Sequence, residues 1–252
     1  MPENQNPTSP EAFAEAVDRL ESLTRTFAEE IDQAVDEAML GKPVPTCPGW
    51  RLGDLIDHLA GIHRWAAASL GVEHAPAETP RPPDADLVRW YRASAEHLVE
   101  ALRAAGPGAP AWTLWGDRVA AFWVRRQVHE TAIHTFDLLT ALRLGDEWDL
   151  DEDLALDGIR EVLFGFYPRQ VRLGRTRGLP GVVRFEVTHD GGGPATVLVS
   201  PVAEPDNPEA ETPLGTVTGP AAEIYLGLWG RRPLPGATEE LAAMIRAAKL
   251  IP

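Results

Sequence analysis

Glu130 and His134 are four residues apart in a stretch, Trp123–Asp137, that reads as helix. At that spacing a carboxylate and an imidazole lie one above the other on a single helical face. An oxygen and a nitrogen presented side by side can share one divalent cation. Upstream, His58 lies three residues after Leu55 and four before Ile62, on the apolar side of another amphipathic stretch. A histidine brought from a facing helix completes a His–His–carboxylate set. Three protein ligands with one position left open is the common form of a catalytic zinc site, and other divalent metals, including iron, accept the same donors. Each part also has a plainer reading. A lone histidine on an apolar face is commonly a hydrogen-bonded core residue, and a Glu–His pair four apart is commonly a surface pair.

Neighbouring residues extend the possibilities. Arg126 is one turn before Glu130. It could grip a substrate carboxylate through its planar fork, or pair with Glu130 or Asp137. Asp137 follows His134 by three residues and could orient it as a hydrogen-bond acceptor; a surface aspartate fits the pattern equally. His129 stands about 100° around the helix from Glu130. The zincin pattern H-E-x-x-H needs histidines four apart, and His129 and His134 are five apart, so the metalloprotease reading fails. His129 is then a proton shuttle or a polar core residue. Trp50, Trp65 and Trp123 could wall a pocket for a bound cosubstrate, although aromatics at helical spacing are more often core. Cys47 sits in a loop with no evident paired base, which argues against a nucleophile.

The elements that must position these residues follow from periodicity. Apolar residues recur at helical spacing over 10–38, 52–70, 85–105 and 118–143, with a shorter helix over 151–165. Proline- and glycine-rich connections, 41–50 and 72–84, separate the early helices. Four long helices with short connections predict an antiparallel bundle, and a bundle core is where side chains from facing helices converge. After Tyr167-Pro168 the character changes. Residues 182–188 and 195–199 alternate as strands around a turn at His189–Gly193; 203–213 is an acidic, proline-rich loop; a third strand falls at 214–218, then helices from Gly219 to Trp229 and over 238–249. The reading is α+β: a helical bundle over 1–170 and a small α+β domain over 171–252.

The net charge of -15 argues against nucleic acid and anionic membrane surfaces as partners. A single cysteine, Cys47, suits a reducing compartment. The first residues, MPENQNPTSPEAF, lack the basic and apolar regions of a signal peptide, and no apolar run approaches the ~20 residues of a membrane span. These features predict a cytoplasmic protein, monomer or homodimer, that meets small molecules.

Two segments carry a resemblance. VPTCPGWRLGDLIDHLAGIHRWA, 44–66, followed by RRQVHETAIHTFDLLTA, 125–141, resembles the mycothiol-dependent maleylpyruvate isomerase family, which belongs to the DinB-like metal-binding bundles. That resemblance implies a metal held by a second-helix histidine and an E-x-x-x-H pair, which fall here on His58, Glu130 and His134. VTGPAAEIYLGLWGRR, 217–232, resembles the family's second, sterol-carrier-like domain. Pro235-Gly236-Ala237 departs from the Gly-Asp turn that the family often has there. The resemblance implies a divalent metal, zinc foremost, and mycothiol as thiol cosubstrate. Thiolate addition to a cis double bond would permit rotation, and elimination would return the trans isomer; in an S-transferase the adduct would be the product. Two readings of other classes stand beside it: a non-catalytic metal- or small-molecule-binding bundle, and a partner-binding module using the acidic surface.

Overall fold

The computed structural model describes residues 6–34, 37–146, 148–189, 191–201 and 213–252. The described residues divide into two compact units, one that ends at Trp148 and one over Asp149–Pro252.

The first unit is built from α1 (Pro10–Ala34), α2 (Glu37–Leu40), α3 (Leu52–Ala68), α4 (Leu87–Ala105) and α5 (Ala120–Leu142). The described part of the expected first helix reaches Ala34, and the expectation that it runs on to 38 crosses residues outside the described ones. α1, α3, α4 and α5 pack as a bundle. Phe27 and Ile31 of α1, Leu55, Ile56 and Leu59 of α3, Tyr91 of α4 and Leu138 of α5 share one apolar core. Phe27 and Tyr91 meet with ring centroids 4.7 Å apart. α5 differs from its neighbours. It is buried nearly all the way round, and the buried residues include Arg126, Gln127, His129, Thr131, His134, Thr135 and Asp137. A surface helix would turn such residues to water; here each must find a partner inside. Thr131 and Thr135 do so by donating to carbonyls one turn back, at 2.8 and 2.7 Å.

The segment entering α3 is ordered by its own backbone. The Val44 amide donates to the Trp50 carbonyl and the Leu52 amide to the Lys42 carbonyl, at 2.9 and 2.8 Å. Gly49 takes φ +88°, which closes the turn. The Arg51 amide donates to Asp54 Oδ2 at 2.8 Å, fixing the start of α3. Cys47 and Trp50 are therefore carried on a tight loop.

The second unit holds α6 (Glu152–Glu161), a π-helical turn (Val162–Phe166), α7 (Tyr167–Arg172), β1 (Val182–Thr188), β2 (Thr196–Val199), β3 (Pro213–Pro220), α8 (Ala221–Leu228) and α9 (Glu239–Ala247). The sheet order is β2-β1-β3, with β1 antiparallel to β2 and parallel to β3. Val183, Phe185 and Val187 alternate onto the buried face of β1. α6 packs on α8, and a Cβ on Gly158 would lie only 2.2 Å from the Tyr225 ring, so the glycine permits the close approach. The Tyr167 hydroxyl accepts from the Leu179 amide at 2.7 Å, tying α7 to the segment before β1. Apart from Pro213, the acidic loop expected over 203–213 lies outside the described residues. The architecture is the expected α+β, with a helical N-terminal unit. Among the described residues no helix is long and apolar enough to cross a membrane.

Candidate metal centre

Facing helices α3 and α5 bring His58, Glu130 and His134 together. Glu130 Oε1 lies 3.4 Å from His58 Nε2 and 3.4 Å from His134 Nε2. The two imidazole centroids are 5.1 Å apart, edge to face, and one donor atom from each of the three residues falls within 4.8 Å of the others. A distance of 3.4 Å is long for an N–H···O hydrogen bond. It is the spacing of two donors on one tetrahedral ion, since ligands ~2.1 Å from such a metal sit about 3.4 Å from each other. The donor set therefore fits a divalent metal of borderline softness.

The other oxygen of the carboxylate is occupied: Glu130 Oε2 accepts from Arg126, whose side chain is buried. Behind His134, Nδ1 donates to Asp137 Oδ2 at 2.9 Å, and Asp137 is fully buried. This keeps a proton on Nδ1, so Nε2, which faces Glu130 and His58, is the nitrogen at which a cation and a proton would compete. Cys47 Sγ donates to the same Asp137 oxygen at 3.2 Å. Trp50, from the same loop, covers both rings, with centroids 4.7 Å from His58 and 6.1 Å from His134.

Electrostatics follow from this packing. Burial alone would raise the Glu130 carboxyl, but the Arg126 charge and hydrogen bonds with His134 and His58 outweigh it and hold it well below the usual carboxylate range. Burial alone would lower the His134 imidazole, but its partners Asp137, Cys47 and Glu130 hold it well above the ordinary value. Metal and proton compete for that nitrogen, so binding of a cation strengthens as pH rises.

The remaining candidates are placed as follows. His58 keeps 32% of its side chain exposed, more than its apolar stripe suggested, because it borders an open groove of about 820 Å³ lined by Trp50, His58, Trp65, Trp90, Asp57 and Arg81. Trp123 is fully buried, in an aromatic cluster with Trp65 and Phe122 at centroid distances of 5.3 and 5.2 Å, and its indole donates to the Trp112 carbonyl. His129 is buried and belongs to neither group of potential metal donors among the described residues. Those groups are His58–Glu130–His134 and Cys47–His134–Asp137.

Two features escaped the sequence. His63 is fully buried and shares a proton with Gln127 Oε1 through Nδ1 at 2.9 Å. It continues the Ile56–Leu59 stripe at spacings of seven and four, which is the signal that could have found it. Burial pushes its imidazole down to about 4. The Cys47–Asp137 contact joins residues 90 positions apart, and no local pattern announces it.

A His–His–Glu donor set on facing bundle helices, with a carboxylate behind one histidine, defines a helical bundle with a candidate metal site. Comparison with known proteins narrows the class. The Mycothiol maleylpyruvate isomerase N-terminal domain family matches residues 13–139 and the MDMPI C-terminal domain family matches residues 153–243. This chain belongs to the mycothiol-dependent maleylpyruvate isomerase family. Its fold is similar to a crystal structure of a point mutant of a mycothiol-dependent maleylpyruvate isomerase, at TM-score 0.58 and 17% identity over 87% of this chain and 90% of that one. No curated protein matches the chain.

Proposed function

We propose that the protein is a metal-dependent enzyme that activates mycothiol for attack on an electrophilic small molecule, acting as an S-transferase or as a maleylpyruvate-type cis–trans isomerase. The observation that carries this reading is the pair of 3.4 Å separations around Glu130 Oε1, which leaves His58, Glu130 and His134 as three donors of a centre with room for one more. A divalent cation, zinc foremost, would supply there the positive charge that keeps an incoming thiol deprotonated near neutral pH.

The chain's own residues do the rest. Asp137 keeps the proton on His134 Nδ1 and so keeps Nε2 free to ligate. Arg126 neutralises the second oxygen of Glu130; it supports the ligand rather than gripping a substrate carboxylate. Trp50 shields the imidazoles from water, and the groove beside His58 offers aromatic walls to the cosubstrate. Trp65 lines that groove, whereas Trp123 supports it from the core. In the isomerase outcome, the thiolate forms a C–S bond to one alkene carbon and the π electrons move onto a conjugated carbonyl. Rotation about the resulting single bond and expulsion of the thiolate then restore the double bond as trans. In the transferase outcome the C–S bond persists, and either a proton is added or a leaving group departs with its electron pair.

The test is to load the protein with zinc and supply mycothiol with maleylpyruvate or with a panel of alkylating electrophiles. An isomerase changes the substrate's ultraviolet spectrum with no net loss of thiol; a transferase consumes thiol in proportion to product. Thiol chemistry no faster than in His134→Ala protein would overturn the reading.

A further inference from the structure

Cys47 is the chain's only cysteine, and nothing in the reaction described above uses it. Its thiol nevertheless has a specific partner. Cys47 Sγ lies 3.2 Å from Asp137 Oδ2, the same oxygen that receives the His134 Nδ1 proton at 2.9 Å. Asp137 is fully buried. A buried carboxylate with no fixed donors could rotate about its last bond, because that torsion is broad and soft. Two donors converging on one oxygen restrict that rotation and with it the tilt of the His134 ring. The donors come from different elements: His134 from the same helix, Cys47 from the loop before α3.

The same loop carries Trp50, two residues before the first residue of α3, with its ring against both imidazoles. The Cys47–Asp137 contact therefore fastens the loop to α5 at the place where the loop roofs the ligands.

We propose that Cys47 is a positioning residue for the metal centre: its thiol holds the Asp137 carboxylate in the orientation that aims His134 Nε2 at the metal, and it anchors the loop that lays Trp50 over the site. This rests on the metal-centre reading. It differs from the alternative in which Cys47 itself ligates a metal with Asp137 and His134, whose donor atoms also lie within 4.8 Å of one another.

The experiment compares the parent protein with Cys47→Ala, Cys47→Ser and Asp137→Asn, singly and combined. The readouts are zinc affinity by competition with a chelating dye, the absorption spectrum of the cobalt-substituted protein, and long-range nitrogen–proton spectra of the His134 ring in metal-free protein. A hydroxyl can donate where the thiol does, so Cys47→Ser is expected to keep zinc affinity within about threefold, while Cys47→Ala loses about tenfold, the lower end for an outer partner of a ligand. The alanine effect should shrink to nothing in the Asp137→Asn background, because both changes act through one carboxylate. The cobalt protein should show no thiolate-to-metal charge-transfer band. Equal zinc affinity in Cys47→Ala and parent, a serine variant as weak as the alanine variant, or a thiolate band would each overturn the proposal. Should Cys47→Ala fail to fold, the serine variant and the parent cobalt spectrum still decide. A parent that binds no zinc sinks the metal reading; the His134 ring spectra then read the tie on their own, and unchanged spectra in Cys47→Ser and Cys47→Ala sink it too.

Discussion

Each unit of the protein joins a histidine to a glutamate, in opposite surroundings. In the bundle, Glu130 and His134, both largely buried, meet a part-exposed His58 across two facing helices, with Arg126 and Asp137 in support. In the second unit, Glu152 at the start of α6 accepts from His189 Nδ1, while His189 Nε2 accepts from the Thr196 hydroxyl at 2.9 Å. Those side chains keep 33% and 27% of their surface. The second group is a chain of hydrogen bonds that pins the β1–β2 connection to a helix. Both nitrogens of its imidazole are already used, and water screens its charges. The first holds two imidazole nitrogens around one carboxylate oxygen at a separation too long for good hydrogen bonds. Identical residue types thus make an exposed staple in one unit and, in the other, a donor cage whose Glu130 and His134 lie deeper, with His58 at the rim.

That contrast can be broken at several points. The largest effect is expected from the ligands: Glu130→Gln or His134→Ala should abolish zinc binding, measured as metal content by elemental analysis, whereas Glu152→Gln should leave it unchanged. Loss of zinc in Glu152→Gln would erase the distinction. Next comes acid. His63 is neutral in the fold with its imidazole pushed down to about 4, against an ordinary value near 6.5 when unfolded. The unfolded chain therefore takes up that proton first as pH falls. Stability is fully kept above about pH 6.5 and is lost progressively down to about pH 4, by roughly 3 kcal/mol in all. Urea denaturation across that window should show the loss, and a His63→Gln variant should flatten it; equal slopes for parent and variant would remove His63 as the cause. Asp137→Asn comes third. It keeps the shape but weakens the acceptor behind His134, and zinc affinity should fall about 10- to 100-fold with the variant still folded by circular dichroism. The smallest effect belongs to the exposed group: Glu152→Gln should change the melting free energy by less than about 1 kcal/mol.

Much of this was legible in the sequence, and the boundary of legibility has physical causes. The Glu130–His134 spacing is local, so helical geometry alone stacks the two side chains. His58 came within reach because its helix shows a clean apolar stripe. The same logic misjudged depth: His58 is on the rim of a groove, and His63 is the fully buried histidine of α3. Stripes give direction around a helix axis, but burial depends on what covers that face, which the helix does not encode. α5 is the extreme case, since a helix enclosed on nearly every side carries little amphipathic signal. The short helix over 152–161 reads like one more bundle helix; its packing on α8 rests on Gly158 and Tyr225, far apart in sequence. The Cys47–Asp137 contact and the roofing by Trp50 arise only when a loop folds across α5.

The π-helical turn between α6 and α7 carries one more consequence. A turn of that kind holds one residue more than the α-helical turns around it, so it acts as a phase step between two lengths of one continuous helical segment. Deleting one residue from Val162–Phe166 would let the segment close into plain α-helix with the downstream phase kept, so Tyr167 would still face the Leu179 amide and Gln170 would keep its buried side. Closing the turn without a deletion would instead carry everything downstream about 100° around the axis. For this stretch the width of the turn matters as much as its spelling: the wide turn absorbs one letter, and a change that tightened it would alter where everything downstream points.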